Sequence, residues 1–292
     1  MVQDEPPAVH SAKIGDHSQA GFACRRTAHS GTLGVMPLHH VSAVQFDIAW
    51  EDKAANFSRI RALLADAPPE PGSLVVLPEM FATGFSMNLA ITRQSRERED
   101  ETFLAALARE HWAFVVGGVV SPGDGEMGRN ESVAFSPAGE LLARYTKIHP
   151  FSLGGEAQGH EAGREVVSFE CGGFIVAPFV CYDLRFPEIF RAAAHRGANL
   201  FVVIALWPVK RQHHWLTLLQ ARAIENQAYV IGVNRVGSEP QFTYAGRSVV
   251  VDPHGIIIAD AGEVERVLRT TLDLETVESW RRDFPALRDA HW

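Results

Sequence analysis

From residue 40 onward, apolar positions recur in two rhythms, one of period two and one near 3.6, and clusters of Pro, Gly or Asp separate them. Residues 41–48 (V-S-A-V-Q-F-D-I) alternate and predict a strand. Residues 53–67 carry Phe57, Ile60, Leu63 and Leu64 at helical spacing. After the breaker P-P-E-P-G, the apolar stretch 73–81 predicts a buried strand ending in Pro78-Glu79, which completes a β-α-β unit. A helix is expected over 98–110 and a strand over 113–120. Residues 130–136 and 140–145 flank Pro137-Ala138-Gly139 as a hairpin whose second strand delivers Lys147. Further strands are expected at 163–169, 174–180, 199–204 and 228–235, with helices over 187–196 and 213–226 between them. A hairpin of 246–251 and 256–259, then a strand at 267–272, close the pattern.

Many of these strands are apolar throughout, as strands buried on both faces are, and the helices near 57–66 and 213–226 each need a sheet face to cover. The expected fold is α/β, a four-layer α-β-β-α sandwich; strand count alone also admits a single doubly wound sheet. Residues 1–37 scatter Pro, Gly, Ser and His without an apolar period. They read as a disordered N-terminal extension, with Met36 a candidate start, ahead of one folded domain over 38–292.

Composition narrows the function classes. With 46% apolar residues in 292, the chain can fill a sizeable core. The formal charge of -8 is spread along the sequence, and no Lys/Arg cluster interleaves with aromatics, so nucleic acid is not an expected partner. Cys24, Cys171 and Cys181 form neither a disulfide framework nor a paired zinc motif, which suits a reducing cytoplasm. No apolar run approaches the roughly 20 residues of a membrane span, and no secretory leader pattern opens the chain. Neither membrane nor export is expected. The pair His213-His214 is adjacent on a helix, where side chains diverge, and no third ligand stands at a metal spacing. No metal and no cofactor are expected.

Chemistry concentrates at three strand ends. Cys181 follows the apolar run 174–180 and precedes Pro187, a residue suited to the first turn of a helix, so it occupies a strand-to-helix elbow. There a thiol projects from the sheet edge, beside free backbone N–H groups. On that segment alone, a nucleophile and a buried core cysteine are balanced readings. Glu79 and Lys147 also sit just beyond apolar strands; separately they read as a solvated strand end and a surface lysine. Together, a thiol, a carboxylate and an ammonium suit acyl transfer from an unactivated amide. Glu79 would shuttle the proton. Lys147 and the backbone N–H after Cys181 would stabilise the oxyanion, a contribution of roughly 3–4 kcal/mol per donor.

The motifs P-E-M-F, Y-T-K-I-H and V-C-Y-D-L-R-F-P-E, in that order, resemble the nitrilase superfamily of carbon-nitrogen hydrolases over residues 40–283. The resemblance implies the α-β-β-α sandwich, a thioester intermediate, a small-molecule amide substrate, and homodimers or larger homo-oligomers. It also implies a second glutamate after the lysine, matched by Glu156, with Glu161 the weaker candidate. Segments 77–87, 213–237 and W-R-R-D-F-P (280–285) are most similar to the omega-amidases, which cleave the terminal amide of 2-oxo dicarboxylic acid monoamides such as 2-oxoglutaramate or 2-oxosuccinamate. Residues before Met36 have no counterpart in that pattern.

Tyr182, Arg185 and Trp207 are the candidate substrate-binding side chains. Arg185, one turn beyond Cys181, suits a substrate carboxylate or an ion pair with Asp183 or Glu188. Trp207 suits a pocket wall or the core. Arg222 and Glu225 read as a structural ion pair, and Cys171 as incidental. Three alternatives stay open: a nitrilase or N-carbamoyl amino acid amidohydrolase, a non-enzymatic interaction module, and a Cys-His hydrolase using His149.

Overall fold

The computed structural model describes residues 39–290. The extension expected over 1–37, with Cys24, lies outside them. The alternating run at the start forms β1 (His39–Gln45). Helix α1 (Lys53–Asp66) begins where the Asp52 carboxylate accepts the Ala55 N–H at 2.9 Å, satisfying one of the orphan donors of the first turn. The chain continues through β2 (Leu74–Val76), the single turn α2 (Leu89–Thr92), α3 (Glu99–His111) and β3 (Phe114–Pro122). The predicted hairpin is β4 (Gly128–Phe135) and β5 (Leu141–Thr146).

The second half starts with α4 (Glu156–Gly159), β6 (Phe169–Cys171) and β7 (Phe174–Val180). A tight helical turn, Cys181–Arg185, leads into α5 (Pro187–His195), then β8 (Leu200–Ile204), α6 (Gln212–Asn226) and β9 (Tyr229–Val233). A small hairpin of β10 (Val236–Ser238) and β11 (Thr243–Ala245) precedes β12 (Val249–Val251), β13 (Ile257–Asp260), β14 (Arg266–Leu272) and α7 (Leu274–Asp283).

Two six-stranded sheets result, ordered β14-β1-β2-β3-β4-β5 and β13-β12-β9-β8-β7-β6. Each is built on three parallel strands, β1-β2-β3 in one and β7-β8-β9 in the other, flanked by antiparallel ones. Alternation decides the layers. Val41, Ala43, Leu74, Val76 and Val116 pack with the core of the second sheet, while their neighbours Val44, Val75 and Val115 pack with Ile60 and Leu64 of α1 and Leu104 and Leu107 of α3. On the second sheet, Phe190 of α5 and Trp215, Leu219 and Ala223 of α6 complete the core. The fold is the α-β-β-α sandwich.

Three expectations are corrected, and not every element was anticipated. The strand expected over 73–81 is short, with β2 ending at Val76. Of residues 163–169, only Phe169 enters a ladder; Val166 and Val167 bury against the core without strand pairing, and the Gly163 N–H is taken by the Lys147 carbonyl at 2.8 Å. The strand expected to Arg235 stops at Val233, because Ser248 Oγ accepts the Asn234 N–H at 3.0 Å in place of a ladder partner. Helix α7 has no counterpart in the predicted elements.

Candidate active site

The strand ends converge because of the threading. β3 runs parallel to β2, β4 turns back and β5 turns back again, so β5 points the same way as β2. Glu79, just past β2, and Lys147, just past β5, therefore emerge at one edge of the first sheet. The chain can bend at Glu79 only because β3 has glycine beneath it: a Cβ on Gly118 would lie 2.5 Å from the Glu79 Cα. Cys181 heads the tight turn after β7 in the facing sheet. Its φ is +47°, and that of Met80 beside Glu79 is +43°. Left-handed backbone costs a non-glycine residue about 1–2 kcal/mol, so both turns need support from outside.

Asp183 supplies that support at the cysteine. Its buried carboxylate accepts the Tyr145 hydroxyl at 2.8 Å and the Val180 N–H at 3.2 Å through Oδ2. Through Oδ1 it accepts the His149 backbone N–H at 3.0 Å and meets the His149 ring Nδ1 at 2.9 Å. Tyr145 and His149 lie two residues to either side of Lys147. One carboxylate thus ties the thiol-bearing turn to the lysine-bearing strand.

Lys147 Nζ sits between two carboxylates, 2.9 Å from Glu79 Oε1 and 2.8 Å from Glu156 Oε2. Asn130 Nδ2 donates to Glu79 Oε1 and Glu156 Oε1, at 2.7 Å each, which fixes the orientation of its amide. Glu156 Oε2 also accepts the Phe151 N–H at 2.6 Å. Leu206, just past β8, joins carboxylate to thiol: its N–H donates to Glu79 Oε2 at 2.9 Å and its carbonyl stands 3.8 Å from Cys181 Sγ. Glu79, Lys147, Glu156 and Asn130 are at most 1% exposed.

One ammonium facing two buried carboxylates sets the protonation. Burial pushes the Glu79 carboxyl up and Glu156 adds to the rise, against the pull of Lys147. Burial would raise Glu156 too, but the Lys147 charge and hydrogen bond hold it below the usual carboxylate range. Burial alone would lower Lys147; the two carboxylates outweigh it and keep the ammonium charged. The Cys181 thiol is pushed well up by burial and by Glu79, so at rest it keeps its proton. The arrangement is a neutral thiol, a proton acceptor beside it and a fixed positive charge.

Cys181 opens onto a narrow, partly open cavity walled by Phe85, Phe151, Tyr182, Trp207 and Phe242 among others. Tyr182, Arg185 and Trp207 all line it, as the sequence suggests. The Arg185 guanidinium lies 4.8 Å from the Trp207 ring centroid and 5.9 Å from that of Tyr182. Among the described residues it pairs with no carboxylate, so the alternative ion pair with Asp183 or Glu188 is not formed. Glu161 lies apart from the site, on Arg129 at 2.7 Å. His149 is turned onto Asp183 and stacks on Phe186, centroids 3.7 Å apart, an arrangement that serves the elbow. Arg222 pairs with Glu225 at 2.8 Å as expected. The His213 and His214 rings are 6.4 Å apart with planes at 60°, and among the described residues no group of three or more His, Cys, Asp or Glu is placed to hold a metal ion.

Sequence reading missed Asn130, Asp183, Leu206 and Arg211. Asn130 falls inside a predicted strand, and Leu206 acts through its backbone. Asp183 sits within the quoted cysteine motif, where its position two residues past Cys181 was the available signal. Arg211 ends the short helical turn Val209–Arg211, three residues that show no apolar period.

Two mixed sheets packed as a sandwich gather a thiol, a carboxylate and an ammonium at the shared strand edge, groups whose chemistry suits acyl transfer. The chain belongs to the carbon-nitrogen hydrolase family, whose model matches residues 40–282. It is 38% identical to the omega-amidase YafV of Yersinia enterocolitica, across 85% of this chain and 95% of that one. To the 2-oxoglutaramate amidase of Bacillus subtilis (strain 168) it is 32% identical, across 85% and 96%. XC1258 from Xanthomonas campestris, a CN-hydrolase superfamily protein with an arsenic adduct in its active site, superposes with a TM-score of 0.82 at 34% identity, covering 88% of this chain and 98% of that one.

Proposed function

We propose that the protein hydrolyses the terminal amide of a small 2-oxo dicarboxylic acid monoamide, 2-oxoglutaramate or 2-oxosuccinamate, to the dicarboxylate and ammonia through a Cys181 thioester. The observation that carries this reading is one cavity holding both the Cys181 thiol, served by Glu79, and the guanidinium of Arg185, which has no acid of its own. A carboxylate buried without a partner costs several kcal/mol, and Arg185 supplies the partner at a distance from the reacting amide. The names of the relatives from Yersinia enterocolitica and Bacillus subtilis support the same substrate class.

In this mechanism Glu79 takes the thiol proton as Sγ bonds to the amide carbon. The C–N bond then breaks while that proton passes from Glu79 to nitrogen, which leaves as ammonia. Water adds to the thioester, giving a proton to Glu79; the S–C bond breaks and the proton returns to sulfur. Lys147 and the Tyr182 N–H stabilise each oxyanion, at roughly 3 kcal/mol per donor, and Glu156 holds Lys147 charged and in place. Tyr182 and Trp207 wall the acyl chain. The setting we propose is cytoplasmic, in a chain without any helix, among the described residues, long and apolar enough to cross a membrane. We propose a homodimer or larger homo-oligomer, as the family resemblance implies; a monomer mass in sedimentation velocity would reject it.

Incubation with 2-oxoglutaramate is expected to release ammonia and 2-oxoglutarate in equal amounts, with Cys181→Ala slower by at least about 1,000-fold. Equal rates from both proteins sink the reading. Faster turnover of a nitrile or an N-carbamoyl amino acid replaces the substrate while keeping the chemistry.

A further inference from the structure

The cavity over Cys181 holds two guanidiniums, of which the sequence singles out one. Arg185 reaches in from the tight turn after β7. Arg211 lines it from a separate element, at the end of the short helical turn Val209–Arg211 that precedes α6. Both are placed by aromatic rings. Arg185 lies on Trp207, and Arg211 stands 5.5 Å from the centroid of Phe151. The Trp207 Nε1–H donates to the Arg211 carbonyl at 2.8 Å, so the ring beneath one guanidinium also fixes the backbone of the other.

Among the described residues neither arginine has a carboxylate partner, and no Asp or Glu lines the cavity. The near polar neighbour of Arg185 is His214 Nδ1, at 3.4 Å. Burial and then the charge of Arg211 push the Arg185 pKa down, so the two cations repel across the cavity. Like charges facing each other between apolar walls are unfavourable until an anion enters between them.

We propose that Arg211 is a specificity-determining residue which, with Arg185, seats the 2-oxo carboxylate end of the substrate and rejects the 2-ammonium group of glutamine and asparagine. This rests on the amidase reading above. A 2-oxo carboxylate presents three oxygen acceptors near one plane, enough to take donors from two planar guanidiniums. An amino acid amide places an ammonium where the keto oxygen would lie, so one arginine faces a like charge. Selection is then by repulsion of the wrong substrate as much as by attraction of the right one.

The test is steady-state kinetics of the wild type, Arg211→Gln and Arg211→Lys on 2-oxoglutaramate, L-glutamine and butanamide, each variant first checked for native circular dichroism. In Arg211→Gln the ratio of kcat/KM for 2-oxoglutaramate to that for L-glutamine is expected to fall at least about 30-fold, chiefly through KM. Arg211→Lys is expected to restore part of the ratio, since it returns the charge without the fork. A ratio that stays constant, or an equal loss on all three substrates, overturns the proposal and leaves Arg211 a wall of the cavity. If the wild type cleaves butanamide but not 2-oxoglutaramate, the reading of a 2-oxo dicarboxylic acid monoamide as substrate fails, and the seat is judged separately by 2-oxoglutarate inhibition of butanamide hydrolysis. Competitive inhibition weakened at least about 10-fold in Arg211→Gln upholds the seat; equal or absent inhibition in the wild type and the variant overturns it.

Discussion

In the proposed mechanism the Glu79 carboxyl has to be ionised to accept the thiol proton, and its burial works against that state. Since burial makes the carboxylate form harder to hold than it is at the surface, lowering the pH protonates Glu79 while an ordinary surface carboxylate, near 4.5, is still charged. The acid limb of kcat/KM is therefore expected above the ordinary carboxylate range, with activity present at higher pH and lost as pH falls through the raised pKa. Glu79→Gln is expected to lose at least about 100-fold in kcat/KM across the whole profile. His149→Ala, by contrast, is expected to retain measurable turnover with the same acid limb, because His149 faces Asp183. The reverse ranking would hand the base role to His149. At this scale the candidate side chains that the structure brings together were legible because each follows an apolar strand or sits in a recognisable motif. Asn130 and Asp183 were not, since a short polar residue shows its role only when partners 26 to 51 positions away, or Tyr145 across the sheets, are in view.

Among the elements, β3 does more than its apolar composition suggests. The missing Cβ of Gly118 is what admits the Glu79 turn. Gly118→Ala is expected to destabilise the fold by about 1–3 kcal/mol and to lower kcat by more than 10-fold, as urea denaturation and steady-state rates will show. A variant with wild-type stability and rate would mean that the turn at Glu79 can move away. Strands with clear alternation or continuous apolar runs were readable to within a few residues. The segment 163–169 was not, because Val166 and Val167 find burial without a ladder, and burial is all that periodicity reports. Helix α7 escaped notice for a related reason: Leu274 and Val277 are its buried residues, too few to show a period.

For the whole molecule, the sandwich exists to bring the ends of β2, β5, β7 and β8 from two different sheets to one place. Their polar groups form a buried set that no single sheet supplies: the acid and the ammonium come from one, the thiol and the Leu206 N–H from the other. Burial of the strands on both faces was legible from the many fully apolar ones, a pattern a single doubly wound sheet also fits, and the sandwich was what the family resemblance implied. Which edge is shared was legible only through the polar residues standing at it. The central claim is that amide cleavage passes through a thioester on Cys181, and partitioning with hydroxylamine tests it most directly. With increasing hydroxylamine, 2-oxoglutaramate, its N-methyl amide and the corresponding methyl ester are expected to give one and the same ratio of hydroxamate to acid, because all three pass through a common acyl-enzyme. A ratio that changes with the leaving group, or ammonia release without any hydroxamate, would contradict the account.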